Sequence, residues 1–148
     1  MTAMNRAKVE ELIGRMRAEQ ETSPELLASV TESLTVTDNV DPLYREFFGD
    51  FYDEAKGFTQ KVSSYLAEFR GGVYNSVSIS ESFRLSHMVK GAAATMGYRL
   101  ISTLAAGMES LFVDVKDGKR KLSSNIVDQL QTLLSLIEEH LEELKQAN

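Results

Sequence analysis

The sequence predicts an all-α fold, an antiparallel four-helix bundle (residues 42–148) preceded by a helical extension (residues 1–41). Apolar residues recur at steps of three and four along four long segments, which is the spacing of an amphipathic helix. The links between these segments are short, and short links favour antiparallel neighbours. A chain of 148 residues is also long enough to bury one core without disulfides or metal ions.

Two short helices are predicted in the extension, the second of them beginning at the capping pair Ser23 and Pro24. Helices of this size are marginal alone, so we expect them to pack on the bundle or on a partner. Residues 35–41, TVTDNVD, are the candidate linker, with Val36 and Val40 available to pin it to the surface. The two apolar stripes are Val9, Leu12, Ile13 and Met16, then Leu26, Leu27, Val30 and Leu34.

Capping residues, prolines and glycines mark the ends of the four bundle helices. The predicted boundaries are Pro42 to Gly71, about Ser78 to Gly97, Gly97 to Asp117, and Ser123 or Ser124 onward. The first helix is expected to bury Tyr44, Phe47, Phe48, Phe51, Ala55, Phe58, Val62, Leu66 and Phe69, and the second Leu85, Val89, Ala92, Ala93 and Met96. The third is expected to bury Leu100, Ile101, Leu104, Ala105, Met108, Leu111, Phe112 and Val115, and the fourth Ile126, Val127, Leu130, Leu133, Leu134, Ile137, Leu141 and Leu144.

Composition narrows the classes of function. The sequence holds no cysteine, which excludes disulfides and thiolate metal sites. Its 22 acidic and 16 basic residues give a net charge of -6, which argues against a nucleic-acid partner. No segment resembles a signal peptide or reaches the ~18 apolar residues of a membrane helix. We therefore expect a soluble, cytoplasmic protein with no membrane contact. We also expect a monomer and no cofactor.

The second bundle helix places His87 away from its own apolar stripe of Leu85, Val89 and Met96. His87 is therefore expected to face solvent or a partner, with Phe83 at the edge of the same face. Four residues lie within about 60° of His87 around the helix axis. They are Arg84, Lys90, Gly91 and Ala94.

This arrangement suits an imidazole that attacks phosphorus. One ring nitrogen must be free while an acceptor holds the other and fixes the tautomer. Glu109, at the edge of the third helix's stripe, is the candidate acceptor. Lys90 offers a cation for phosphoryl oxygens. Gly91 and Ala94 remove bulk, so that another protein can approach the nitrogen.

The residues His87, Lys90, Gly91 and Gly97 reproduce the H-x-x-K-G-x-x-x-x-x-G signature of histidine phosphotransfer domains. The stretches FRLSHMVKGAAATMGY and LAAGMESLFVDVKDGKRKLSSNIVDQL, with YREFFGDFYDEA before them, resemble the phosphotransfer domain of chemotaxis-type histidine kinases. The resemblance spans about residues 42–146.

The resemblance implies that His87 is phosphorylated at one ring nitrogen, that Glu109 bonds the other and that Lys90 supports the phosphate. Many chemotaxis-type members carry a second histidine where this sequence has Ala106, so that any tuning by that histidine is in doubt. No Gly-rich phosphate loop is present, and we expect a donor histidine kinase, a hybrid kinase or a phosphorylated receiver to supply the phosphoryl group. Response-regulator receiver domains are the expected acceptors.

Other interpretations stay open at this stage. A non-catalytic helical adaptor would keep the fold and bind signalling partners without phosphotransfer, whereas a metal-dependent bundle enzyme has little support. Phe83 is either a docking hydrophobe or a half-buried flank, and Arg84 is either a partner contact or a solvated charge. His140 lacks the Glu-x-x-His spacing of bundle metal sites and is predicted to be a solvated histidine near a helix C-terminus.

Overall fold

The structure, a computed structural model, describes residues 3–18 and 22–148, and every regular element in these ranges is helical. This confirms the all-α prediction. The α-helices are α1 (Ala3–Ala18), α2 (Pro24–Glu32), α3 (Phe48–Arg70), α4 (Ser76–Met96), α5 (Arg99–Lys116) and α6 (Ser124–Ala147), and a 3-10 helix spans Pro42–Phe47.

Helices α3 to α6 form an antiparallel four-helix bundle. In this arrangement, α3 packs against α4 and α6, and α5 packs against the same two helices. Cross-helix bonds show the direction, since Lys56 and Arg70 of α3 pair with Glu142 and Asp128 of α6 in reverse order. The apolar stripes meet in one core, which includes Phe58, Leu66, Ile101, Met108, Phe112, Leu130 and Leu134.

The first bundle helix begins later than the sequence predicts. Asp41 Oδ1 accepts a hydrogen bond from the N–H of Leu43 at 2.9 Å, and the chain continues as a 3-10 helix before α3 begins at Phe48. The prediction that Tyr44 and Phe47 belong to the buried stripe is therefore wrong, because both rings are exposed. The tighter turn of a 3-10 helix breaks the 3.6-residue period that places them inward.

The two extension helices pack on the bundle. Gly107 of α5 leaves room for α2, since a Cβ at that position would lie 3.6 Å from Leu26 and 3.7 Å from Val30. Helix α1 contacts α2 and α6, with an ion pair between Lys8 and Glu139. The sequence left open whether the extension helices pack on the bundle or on a partner. In the described residues they pack on the bundle.

The predicted linker is held against the bundle. Within it, residues 36–40, here called the strap, have no regular secondary structure, and Val36, Asp38 and Val40 are half-buried while the residues between them are exposed. Both valines pack against the core. This alternation is that of an extended segment with one face on the protein.

Candidate functional site

His87 lies in the middle of α4, a helix fixed at both ends. The Asn75 side chain accepts from the N–H of Ser78 at 2.9 Å, and the Ser78 hydroxyl accepts from the N–H of Asn75 at 3.1 Å. At the other end, Gly97 adopts a left-handed conformation with φ of 86°. His87 projects from this rigid helix with 64% of its side chain exposed.

Glu109 of α5 joins His87 and Lys90. Its Oε2 lies 2.6 Å from His87 Nδ1, and its Oε1 accepts from Lys90 Nζ at 2.8 Å. The carboxylate is only 18% exposed, whereas Lys90 is 32% exposed. The structure therefore brings together the three residues that the sequence predicts as catalytic. It also joins Lys90 to Glu109, a contact that sequence reasoning did not include.

The charge on Glu109 fixes the tautomer of His87. Partial burial alone raises the pKa of the Glu109 carboxyl, but the hydrogen bonds from Lys90 and His87 outweigh it and hold the pKa below its ordinary value. An ionised carboxylate only accepts hydrogen bonds, so His87 Nδ1 carries a proton and donates. In the neutral ring, the lone pair then resides on Nε2, the nitrogen that does not face Glu109.

Phe83 lies between His87 and a lysine. Its ring and the imidazole are nearly parallel, 6.2 Å apart between centroids with an interplanar angle of 23°. On α5, Lys116 Nζ lies 5.1 Å from the centroid of the Phe83 ring, within the range of a cation–π contact. Sequence reasoning missed Lys116. The antiparallel order of α4 and α5 is the signal that places the end of α5 beside Phe83.

The other three residues predicted to bind a partner are exposed on α4. Arg84 donates to Met88 Sδ at 3.1 Å and lies 3.9 Å from Glu81. Gly91 and Ala94 lie one and two turns beyond His87. A Cβ at Gly91 would meet nothing within 4 Å. The space beside His87 is therefore open.

Serines form much of the buried face of α4, which the apolar pattern did not predict. Ser82 and Ser86 are fully buried, and each hydroxyl donates at 2.8 Å to the carbonyl four residues earlier. Leu85, predicted to face inward, is half-buried. Because the helix itself satisfies both hydroxyls, the serines need no polar partner in the core.

His140 differs from its predicted solvated state. Only 11% of its side chain is exposed, with Nε2 lying 2.8 Å from Asp38 Oδ2 and Nδ1 lying 3.3 Å from Glu143 Oε2. The prediction is wrong because the strap carries Asp38 across the end of α6. A contact between residues 102 positions apart leaves no mark in the local sequence.

Residues 3–18 and 22–148 lack two further features. No group of three or more histidine, aspartate and glutamate side chains there is arranged to hold a metal ion. No helix within the same ranges is long and apolar enough to cross a membrane. The candidate site consists of His87, Lys90 and Glu109, which the two contacts of Glu109 join.

Comparison with known proteins gives similarity over most of the bundle. The chemotaxis protein CheA of Borreliella burgdorferi is 29% identical over 96 residues, 65% of this chain and 11% of that protein. CheA of Listeria monocytogenes is 30% identical over 88 residues, 60% of this chain and 14% of that protein. CheA of Treponema pallidum is 28% identical over 109 residues, 74% of this chain and 13% of that protein.

The chain thus spans between 11% and 14% of the length of these relatives. No solved structure matches it significantly. A family model described as the Hpt domain matches residues 46–147, which include His87, Lys90 and Glu109. This match confirms the resemblance that the sequence indicates. The chain belongs to the Hpt domain family, the histidine phosphotransfer domains of two-component signalling.

Proposed function

We propose that His87 Nε2 accepts a phosphoryl group and returns it to an aspartate of a receiver domain. The observation that carries this proposal is the 2.6 Å contact between His87 Nδ1 and Glu109 Oε2 on a side chain that is 64% exposed. The contact keeps the proton on Nδ1, and the exposure leaves Nε2 open to a phosphoryl donor. Residues 42–148 are the proposed phosphotransfer unit, and residues 1–41 are the proposed extension.

The transfer step exchanges one bond to phosphorus for another. The lone pair of Nε2 attacks the phosphorus of a phosphorylated aspartate or of ATP held by a kinase, and an N–P bond forms. The bond from phosphorus to the leaving oxygen breaks, and its electron pair stays on that oxygen. The Nδ1 proton remains in place. Ionised Glu109 then stabilises the positive charge that develops on the ring.

Lys90 has two acceptors available in this reaction. It donates to Glu109 Oε1 at 2.8 Å before transfer. One turn of α4 separates it from His87, so its ammonium group can reach oxygens of a phosphoryl group on Nε2. We propose that Lys90 turns from Glu109 toward those oxygens in the transition state. Lys90→Ala is then expected to slow transfer more than it weakens partner binding.

The shape of the site supports the partners that we propose. His87 stands on an exposed helix face beside Phe83 and the open space at Gly91, which suits the flat surface of another protein. We propose receiver domains as the acceptors and a histidine kinase or hybrid kinase as the donor. We also propose a monomer in the cytoplasm. Sedimentation and cell fractionation would test both statements.

The test is phosphorylation by a purified receiver that has been phosphorylated beforehand, or by a kinase with ATP. Wild-type protein should gain an acid-labile, base-stable phosphate, and His87→Gln should abolish it. His140→Gln is the matched control, because it changes the other histidine of the chain. The His140→Gln variant should still be labelled.

Two results would contradict the proposal. Label that persists in His87→Gln would place the phosphate on another residue. Wild-type protein that binds a receiver, yet takes phosphate from no donor across all receivers and kinases of the source organism, would instead indicate an adaptor.

A further inference from the structure

The strap crosses the turn between α4 and α5 in direct backbone contact. The N–H of Asn39 donates to the carbonyl oxygen of Gly97 at 2.8 Å. A Cβ at Gly97 would lie 2.0 Å from the carbonyl oxygen of Asn39, which is closer than the two atoms can approach. The turn must therefore carry glycine for the strap to lie where it does.

Asp38 of the strap supplies the cap that α5 lacks. Tyr98 stands at the N-cap position of α5 and makes no side-chain capping bond. Asp38 Oδ1 instead accepts from the N–H of Leu100, in the first turn of α5, at 3.1 Å. Its second oxygen, Oδ2, lies 2.8 Å from His140 Nε2 on α6. One carboxylate thus joins the strap, α5 and α6.

The surroundings of Asp38 keep it charged. Burial alone raises its pKa, but the hydrogen bonds from His140 and from the backbone of Leu100 outweigh burial and hold the pKa below its ordinary value. The other ring nitrogen of His140 lies 3.3 Å from Glu143, which also accepts from Asn5 at 3.4 Å. The cap is therefore an ionised group at the positive end of α5, where a negative charge is most stabilising.

Helix α5 links this cap to the candidate site. Glu109 lies about 14 Å along α5 from Leu100, at the helical rise of 1.5 Å per residue. A second tie lies between the two, since the Ser102 hydroxyl donates to the carbonyl oxygen of Lys90 at 3.0 Å. Any rotation or slide of the start of α5 moves Glu109 relative to His87. Displacements of about 1 Å at a reactive group are enough to slow a reaction severalfold or more.

We propose that Asp38 is a positioning residue for the phosphorylation of His87. By capping α5, it holds Glu109 against Nδ1 of the imidazole. The strap thus contributes to the geometry of the phosphotransfer site. The kinetic effect rests on the proposed function. The effect on the His87 ring does not, because it exists before any phosphate arrives.

The first measurement is the protonation of the His87 ring in protein without phosphate, by nitrogen-15 NMR. In the wild type, we expect the neutral ring to hold its proton on Nδ1. Asp38→Ala should shift a measurable fraction of the proton to Nε2, and Asp38→Asn should shift less, because Asn retains an oxygen for the N–H of Leu100. Asp41→Ala is the matched control. It removes the cap of the neighbouring 3-10 helix, which packs against α3, and should change nothing at His87.

The second measurement is the initial rate of labelling of His87 in a double-mutant cycle. Asp38→Ala should slow labelling by about tenfold, less than the ~100-fold that a 1 Å misplacement of a reactive group can cost. In a Glu109→Gln background, the same change should slow labelling by less than about twofold, because the group that Asp38 positions is already altered. Thermal unfolding would establish that each variant is folded. If Asp38→Ala does not fold, the same comparison is made with Asp38→Asn.

Failure of this inference and failure of the proposed function are distinguishable. Equal slowing by Asp38→Ala in both backgrounds, or an unchanged His87 tautomer, would overturn the role of Asp38 while leaving phosphotransfer intact. Wild-type protein that is never labelled would overturn the proposed function. The NMR comparison of Asp38 and Asp41 variants would then decide the positioning role by itself.

Discussion

His87 and His140 are the two histidines of the chain, and each contacts a carboxylate. They differ in what remains free. His87 uses Nδ1 for Glu109 and keeps 64% of its side chain exposed, whereas His140 uses both nitrogens and is 11% exposed. A nearby carboxylate is therefore shared by both sites and does not identify the reactive one. The free, exposed nitrogen does.

The carboxylate partners also serve opposite purposes. Glu109 holds one nitrogen of His87 in a fixed protonation state while the other nitrogen stays available. Asp38 and Glu143 occupy both nitrogens of His140 and connect the strap to α6. The same pair of residue types thus makes a reactive group in one place and a structural link in the other.

The largest contrast is expected in stability. His140→Ala should lower the free energy of unfolding by about 2 kcal/mol. The reason is that the half-buried, ionised Asp38 carboxylate loses its hydrogen bond from His140 Nε2. His87→Ala should change it by less than about 0.5 kcal/mol, as is usual for an exposed side chain. Urea unfolding monitored by circular dichroism measures both. Equal losses would mean that the two histidines do not differ in structural role.

The second contrast concerns the partner carboxylates. Glu109→Gln should slow labelling of His87 by about tenfold, equal to about 1.4 kcal/mol in the barrier, because the neutral amide stabilises the developing positive charge less well. Glu143→Gln, which changes a partner of His140, should slow labelling by less than about twofold, because the amide keeps an oxygen beside His140 and Asp38 still caps α5. Initial rates with one phosphorylated receiver at fixed concentration give the comparison. A Glu143→Gln variant as slow as Glu109→Gln would show that general damage to the bundle, and not the contact to His87, governs the rate.

The third contrast depends on pH. The folded-state pKa of Asp38 lies below its ordinary value, so its contribution to stability is complete above pH ~4 and is lost as pH falls through the folded-state pKa. The gap in unfolding free energy between wild type and Asp38→Asn should be about 1 kcal/mol at about pH 5. It should shrink below about pH 4. Urea titrations from about pH 5 to about pH 3 test this, and a gap that widens over that range would contradict it.

The helices were predictable because their signals are local. The stripes on α5 and α6 follow from spacing alone, and His87 was placed on the exposed face of α4 by the same periodicity. The buried serines of α4 were not predicted, because a hydropathy pattern counts serine as polar. A serine whose hydroxyl donates to its own helix can be buried like a small apolar residue. The 3-10 helix was not predicted, because the spacing of its apolar residues also fits an α-helix.

The site was predictable only as far as its partners lie on adjacent helices. Glu109 was a candidate because it lies at the edge of the apolar stripe of α5, which an antiparallel neighbour can bring to His87. Lys116 beside Phe83 depends on that register along the whole length of α5, and Asp38 on a strap whose path no local signal gives. Residues 62 positions apart, such as Asp38 and Leu100, meet only after the chain has folded.

The smallest expected effect is on stability, and it compares Gly91, beside His87, with a glycine of another helix. Gly91 of α4 and Gly57 of α3 are both exposed inside helices, and a Cβ on either would meet nothing within 4 Å. Gly91→Ala and Gly57→Ala should therefore each raise the unfolding free energy by about 0.5 to 1 kcal/mol, the gain of alanine over glycine in a helix. Thermal unfolding of the two variants tests this equality.

Labelling should nevertheless distinguish the two glycines. If the space at Gly91 exists for a docking protein, Gly91→Leu should slow transfer from a receiver by about tenfold, because overfilling a packed interface costs about 1 to 3 kcal/mol. Gly57→Leu should leave transfer unchanged, since Gly57 lies on α3, whereas the contacts of His87 are to Glu109 of α5 and Phe83 of α4. Phosphoramidate, a small donor that needs no docking surface, should label both leucine variants at the wild-type rate. A Gly91→Leu variant that is slow with phosphoramidate as well would mean that the substitution disturbs His87 itself, and that the open space at Gly91 is not what admits the partner.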